Sequence, residues 1–244
     1  LWWKGEWWTS SRFLALVESC EKTLAQGGFG EGQRLVLLLP NCPLVLALSI
    51  AAWRLKGAVA PLNLQSGPSA LVENMAVLDP WGVVLPQGME QLGEAISAAG
   101  YPTVATQLDE PIPAFMGRIG EIDSRDTAVV FSTSGTTGTP KAVVITHANL
   151  IDNTEKVFGF VEELKRDDIL LNVLPNFHTL GYSVSGILPL TIGLPQALLP
   201  GFMPPQNAVE AIREAGVTVM VAVPTMVALT LATAAKGVEI GRTL

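Results

Sequence analysis

From Arg34 onward, short continuous apolar runs alternate with longer segments whose apolar residues recur at helical spacing. The runs predict strands at Leu35–Leu39, Ala58–Leu62, Gly82–Leu85 and Thr103–Ala105. The longer segments predict a helix from Pro43 to Lys56, stopped by Gly57, and another around Ala70–Leu78. Strands that are apolar throughout, separated by helices of about 10–15 residues, argue a mostly parallel sheet covered on both faces. The expected fold class is therefore α/β. Before this pattern starts, Phe13, Leu16, Val17, Cys20 and Leu24 mark one amphipathic helix, with Thr9 or Ser10 as N-cap and Gly27 as stop. At the front, Trp2 and Trp3 face Trp7 and Trp8 across a Lys4–Gly5 turn, a short hairpin signal holding four of the six tryptophans. Packing of that hairpin on another part of the protein is the commoner use of such aromatics than a ligand platform.

Two windows, Leu35–Trp53 and Val217–Ala235, contain no charged residue and approach the length of a membrane span. Pro40, Asn41, Cys42 and Pro43 interrupt the first, and Pro224 divides the second into a β-branched half and a helix-forming half. Each reads as a buried strand, a turn and an apolar helix. The stretch Gln107–Asp126 has weak periodicity and reads as a linker before a new strand. Charged residues make up 15% of the chain, against about 25% in typical soluble domains. With 49% hydrophobic residues, that composition excludes a disordered chain. A net charge of −7 argues against an electrostatic nucleic-acid binder, which requires a basic face. Any anionic ligand must be held locally. The two cysteines and two histidines make neither a disulfide framework nor a metal-ligand spacing, so a reduced, cytoplasmic setting is the default.

The local anion chemistry sits after the apolar strand Thr127–Phe131. It runs directly into Ser132, Thr133, Ser134, Gly135, Thr136, Thr137, Gly138, Thr139, Pro140 and Lys141. Such a loop offers successive backbone N–H groups and hydroxyls to phosphate oxygens, glycines for close approach, and one cation. It is not a Walker A loop, because Gly135 and Gly138 stand too close and Ala142 follows Lys141. Taken alone, it would more often be an ordinary Ser/Thr-rich turn whose hydroxyls serve its own backbone.

The full string from Ser132 to Leu150 resembles the phosphate-loop signature of the adenylate-forming superfamily, which includes acyl-CoA synthetases, peptide-synthetase adenylation domains and luciferases. Leu174, Pro175, Asn176, Phe177 and His178 resemble that family's Leu-Pro-x-Phe-His segment, whose histidine usually stands near the acyl or carboxylate pocket. Trp8–Thr9 and the helix after them, Arg34–Asn41, and Gly57–Asn63 are also similar to family segments. Pro175–Pro200 and Val217–Met226 look most like long-chain fatty acyl enzymes, and most of all like the synthetase part of acyl-ACP synthetase/2-acylglycerophosphoethanolamine acyltransferases. One departure lies beside the loop, where Ala142 occupies a position that is usually Gly.

The resemblance implies layered α/β/α lobes with mostly parallel sheets, the N-terminal portion of an acyl-CoA synthetase-like fold. Residues 42–160 would form a first lobe carrying the phosphate loop, and 1–41 with 168–244 a second, incomplete one. It implies an AMP-forming acid–thiol ligase that activates a carboxylic acid, such as a long-chain fatty acid, as acyl-adenylate. The acyl group then passes to CoA or to the phosphopantetheine of an acyl carrier protein (ACP). ATP and Mg²⁺ are the implied cofactors. Ser132, Thr133, Ser134, Gly135, Thr136, Thr137, Gly138 and Lys141 are the expected nucleotide contacts and His178 the substrate-pocket residue. No catalytic residue or metal ligand is assigned within this chain. His147, which opens the next helix, is expected to be structural. The chain is expected to be part of a longer parent, to be inactive alone, to reach a membrane surface only through other parts of that parent, and to self-associate through exposed edges. An aminoacyl-adenylating domain of a peptide synthetase, a non-catalytic binding module that keeps the fold, and a membrane-embedded piece of a fused protein are the alternatives.

Overall fold

The computed structural model describes residues 1–134, 140–161 and 164–234, with the side chains of Ser134 and Phe160 excepted. Its strands are β1 (Trp2–Trp3), β2 (Glu6–Trp7), β3 (Arg34–Leu37), β4 (Ala58–Pro61), β5 (Gly82–Pro86), β6 (Thr103–Thr106), β7 (Thr127–Ser134), β8 (Pro140–Thr146), β9 (Leu170–Asn172), β10 (Gln196–Leu198) and β11 (Val219–Met220). Its α-helices are α1 (Ser10–Gln26), α2 (Pro43–Arg54), α3 (Pro68–Leu78), α4 (Glu90–Ala98), α5 (His147–Phe160), α6 (Leu188–Ile192), α7 (Pro205–Ala215) and α8 (Pro224–Ala234). A π-helix, Gly181–Ile187, precedes α6. The class is α/β with mostly parallel sheets, and two compact units divide the chain.

One unit comprises Leu1–Ser10, Pro40–Pro43 and Ile151–Leu244. Its sheet runs β11-β9-β10-β1-β2, parallel except for the β1–β2 hairpin. Lys4 and Gly5 at the turn have φ of 51° and 87°, the double positive φ that a tight two-residue hairpin demands and that glycine accepts freely. Trp2 pairs with Ala197 of β10 and is buried, so the aromatic hairpin packs on a later part of the chain. Leu171, Val173, Ala208, Ile212 and Val217 share its core.

The other unit comprises Ser11–Leu39 and Leu44–Leu150. Its sheet runs β6-β5-β3-β4-β7-β8, parallel as far as β7, with β8 returning antiparallel along the edge. Residues 11–39, expected with the second lobe, belong here because β3 hydrogen-bonds between β4 and β5. α1 buries Leu16, Val17, Cys20 and Leu24, and α2 buries Leu44, Leu46 and Leu48 completely. α4 has no counterpart in the expected elements. It buries only Gly93 and Ile96, too narrow a stripe to stand out in the sequence.

Residues 107–126 form no regular element, as expected of a linker, yet they are laced to the sheet. Asp123 N–H donates to Gly32 O at 2.7 Å, Arg118 N–H to Trp81 O at 2.9 Å, and Phe115 meets Trp81 edge-on at 4.9 Å. The first charge-free window becomes β3, a turn and α2, as anticipated. The second becomes β11 and α8, but β11 is half-buried rather than buried. Among the described residues no helix is long and apolar enough to cross a membrane.

Candidate functional site

The Ser/Thr-rich segment is carried on a β-hairpin at the sheet edge. β7 is held on its inner side by Val59↔Val129 pairing with β4, and its outer side pairs with β8 through Ser132↔Ala142, Thr133↔Lys141 and Ser134↔Pro140. This register places Lys141 directly across from Thr133, and both side chains are exposed. Ala142 lies inside a regular pair with no positive φ, so the methyl group that replaces the usual glycine is accommodated by ordinary strand geometry. Gly135, Thr136, Thr137 and Gly138 lie outside the described residues, as does the Ser134 side chain.

The Ser132 hydroxyl is half-buried and donates to the side-chain oxygen of Asn74 on α3. Asn74 in turn donates to Ala70 O at 2.6 Å, within its own helix. Ser132 therefore fixes the hairpin to α3, and Thr133 and Lys141 are the exposed polar groups of its described arms. Nothing in the sequence flagged Asn74, a single amide on a helix.

His147 opens α5, its N–H donating to Asp126 O at 2.9 Å. Its ring meets Trp53 edge-on at 5.4 Å. Burial pushes its pKa below the usual histidine value, opposed by the nearby Asp126 charge. Trp53 is anchored by an indole N–H bond to Ala128 O at 2.8 Å, so the stack braces the base of the β7–β8 hairpin.

His178 belongs to the first unit, and its side chain is exposed, with its ring 4.6 Å from that of Phe177. Its backbone is tightly set: its N–H donates to Pro175 O at 3.0 Å and its carbonyl accepts from Tyr182 N–H at 2.8 Å. The π-helix that follows is a rare geometry that is frequently found at functional positions. Gly181 starts it, and a Cβ there would collide with the Pro175 carbonyl oxygen, so only glycine allows the helix to approach the turn this closely. A chain of buried amides, Asn41, Asn172, Asn176 and Gln196, lies beneath this segment. Sequence reasoning matched Asn41 and Asn176 to family segments without giving either a role.

The same unit contains a cavity of about 530 Å³, within the usual range of about 300–1,000 Å³ for ligand sites. Val161, Leu164, Met220, Val227 and Leu231 make it apolar, and Asp168 and Thr218 supply its polar rim. The backbone N–H of Lys165 and the Thr218 hydroxyl, each 2.7 Å from Asp168, hold that carboxyl below its ordinary range. His178 does not line this cavity.

A family model described as AMP-binding enzyme matches residues 1–241. The chain belongs to this family. A sulfoacetate–CoA ligase of Cupriavidus necator is 31% identical over 182 residues, covering 70% of this chain and 36% of that enzyme. The mitochondrial malonate–CoA ligase of Homo sapiens is 29% identical over 212 residues, 80% of this chain and 35% of its own length. The chain thus spans little more than a third of the curated relatives it matches here. In fold, it is similar to the O-succinylbenzoate coenzyme A synthetase of Bacillus subtilis in complex with AMP. The TM-score is 0.80 at 21% identity, over 95% of this chain and 60% of that one. The inhibitor-bound N-terminal domain of FACL13 from Mycobacterium tuberculosis also gives a TM-score of 0.80, at 22% identity, over 96% of this chain and 60% of that one.

Proposed function

We propose that this chain supplies the phosphate-loop hairpin and a carboxylate-facing segment of an AMP-forming acid–thiol ligase. The observation that carries the reading is the match to the AMP-binding enzyme family over residues 1–241, with the β7–β8 hairpin presenting Thr133 and Lys141 side by side. In this reaction a carboxylate oxygen attacks the α-phosphorus of ATP and pyrophosphate leaves, giving an acyl-adenylate. A thiol sulfur then attacks the acyl carbon, releasing AMP and the thiol proton. No general base is needed for the first step, since a carboxylic acid is ionised at neutral pH. Charge develops on phosphate oxygens, so the protein contributes mainly by positioning and by electrostatics.

In this reading Thr133 and the residues 134–138 orient the β- and γ-phosphates, and Lys141 balances their charge. Ser132 acts one step back, by holding the hairpin to Asn74. Mg²⁺ arrives with the ATP phosphates, and among the described residues no three His, Cys, Asp or Glu groups stand together as a metal site. His178 faces the carboxylate. CoA is the acceptor favoured by the relatives, which are named as CoA ligases. A long-chain fatty acid and an ACP thiol are finer choices supported only by the likeness of Pro175–Pro200 and Val217–Met226 to long-chain enzymes.

The test is ATP·Mg binding by the full chain, followed by carboxylate-dependent ATP–pyrophosphate exchange in the protein that contains it. Fatty acids, malonate and amino acids serve as substrates, and CoA and ACP as acceptors. A charge-assisted contact is worth about 1.5–3 kcal/mol, so Lys141→Ala is expected to weaken binding or exchange about ten- to 150-fold. Unchanged exchange in that variant removes Lys141 from the site. Exchange driven by amino acids alone replaces the acid–thiol reading with the aminoacyl one.

A further inference from the structure

The segment that carries His178 contains a proline at its bend, so Pro175 has no N–H to offer a neighbouring strand. Asn41 fills that gap from the Pro40–Pro43 turn. Its amide nitrogen donates to Leu174 O at 2.7 Å, and its Oδ1 accepts from Asn176 N–H at 2.8 Å. One side chain therefore grips the backbone on both sides of Pro175, as a paired strand would. The same amide nitrogen donates to Asn172 Oδ1 at 3.1 Å. Asn172 donates to Gln196 Oε1 at 3.0 Å, and Gln196 Nε2 donates to Gly186 O at 3.2 Å.

The relay thus runs from the turn before His178 to the far end of the π-helix after it. In the orientation that satisfies its neighbours, the Asn176 amide nitrogen stands 3.0 Å from Asn172 Oδ1 and 3.2 Å from Gly181 O. All four amide side chains are buried, with exposures of 2% or less. In that setting a satisfied network is rigid and an unpaired amide is expensive. Ser185 Oγ, within the π-helix, is fully buried and has no hydrogen-bond partner among the described residues. From outside, the Gln196 bond to Gly186 and the close seating of Gly181 on Pro175 brace the irregular helix.

We propose that Asn41 is a positioning residue for His178, acting through the Leu174–Asn176 backbone, with Asn172 and Gln196 extending its grip to the end of the π-helix. His178 is exposed and its ring lies against that of the adjacent Phe177, so its presentation depends on where the backbone that carries both rings is held. Three bonds link the parts: Asn41 bonds the residues on both sides of Pro175, and Pro175 O accepts the His178 N–H. The consequence for a bound carboxylate rests on the function proposed above; the mechanical link does not.

The chain has only two histidines, and His147 lies in the other compact unit, so it is an internal control. The experiment records imidazole carbon–proton correlations of the isotope-labelled full chain, with assignments fixed by His178→Gln. In Asn41→Ala the His178 resonances are expected to shift or broaden while those of His147 stay in place. Gln196→Met keeps the side-chain length but removes both the bond to Gly186 and the one accepted from Asn172, and it is expected to move the same resonances by a smaller amount. Ser49→Ala, which removes a buried hydroxyl bond to Val45 O inside α2, is expected to move neither histidine. If Asn41→Ala does not fold, Gln196→Met decides alone. His178 signals that match wild type in both relay variants, or His147 signals that move with them, overturn the proposal. Octanoate and malonate are then titrated into the wild-type chain. If neither perturbs His178, the carboxylate reading of that residue falls, while the positioning role stands or falls on the variants.

Discussion

Replacing Arg34 with methionine would leave the Asp123 carboxylate buried without its cation. Arg34 Nε and Nη2 donate to the two oxygens of Asp123 at 2.5 and 2.8 Å, and Nη1 donates to Leu78 O at 2.7 Å. The two side chains are 8% and 7% exposed, so water cannot replace the lost partner. Breaking such a buried pair from one side costs about 3–5 kcal/mol, because the uncompensated charge stays behind. Asp123→Leu is expected to cost a similar amount, since the guanidinium keeps only Leu78 O. The double variant Arg34→Met/Asp123→Leu removes both charges and is expected to be more stable than either single one.

Hydrogen exchange read by mass spectrometry suits a chain of two compact units, because it reports each segment separately. Peptides covering Leu35–Leu39 and 107–126 should exchange at least about 100-fold faster in either single variant, since each 1.36 kcal/mol is tenfold. Peptides from residues 170–230 should be unchanged. Single variants that change exchange by less than about fivefold, or a double variant whose loss equals their sum, would refute the claim that this pair ties 107–126 to the sheet.

Gly181→Ala would push a methyl group against the Pro175 carbonyl, which is backbone and cannot swing aside. A loss of about 1–3 kcal/mol is expected, seen as a lower unfolding midpoint and faster exchange in residues 174–187. His147 has a pKa depressed mainly by burial, so the unfolded chain binds more protons than the folded one below about pH 6.5. Stability should therefore be full above that value and fall as the pH drops through the folded pKa. His147→Gln should flatten this part of a urea-midpoint profile. β11 is an edge strand among the described residues, and with the exposed Val223, Val227, Leu229 and Leu231 on or beside α8 it leads us to predict association with a second copy. Light scattering should show mass rising with concentration, and Leu231→Glu should reduce it; a constant monomer mass would contradict this.

Local physics made much of the architecture readable. The Lys4–Gly5 hairpin follows from the positive φ that a two-residue turn requires, and β3, β4 and β5 follow from runs that are apolar on both faces because both faces are buried. α1 shows its buried stripe in the spacing of Leu16, Val17, Cys20 and Leu24. The anion-binding chemistry of Ser132 to Lys141 was visible for a similar reason: its Ser and Thr hydroxyls, its glycines and its one Lys lie close together in sequence.

Other features depend on partners distant along the chain. Arg34 meets Asp123, Ser132 meets Asn74, and Asn41 meets Asn172 and Asn176, all across separations that no periodicity records. The placement of residues 11–39 was settled by hydrogen bonding of β3 between β4 and β5. The π-helix is seated by a small residue on a proline turn and bonded by an amide that reaches it from β10. Hydrophobic period and turn chemistry act within a few residues and so are written in the sequence. Buried polar pairing is selected only when the folded chain removes water from both partners, and that selection belongs to the tertiary structure.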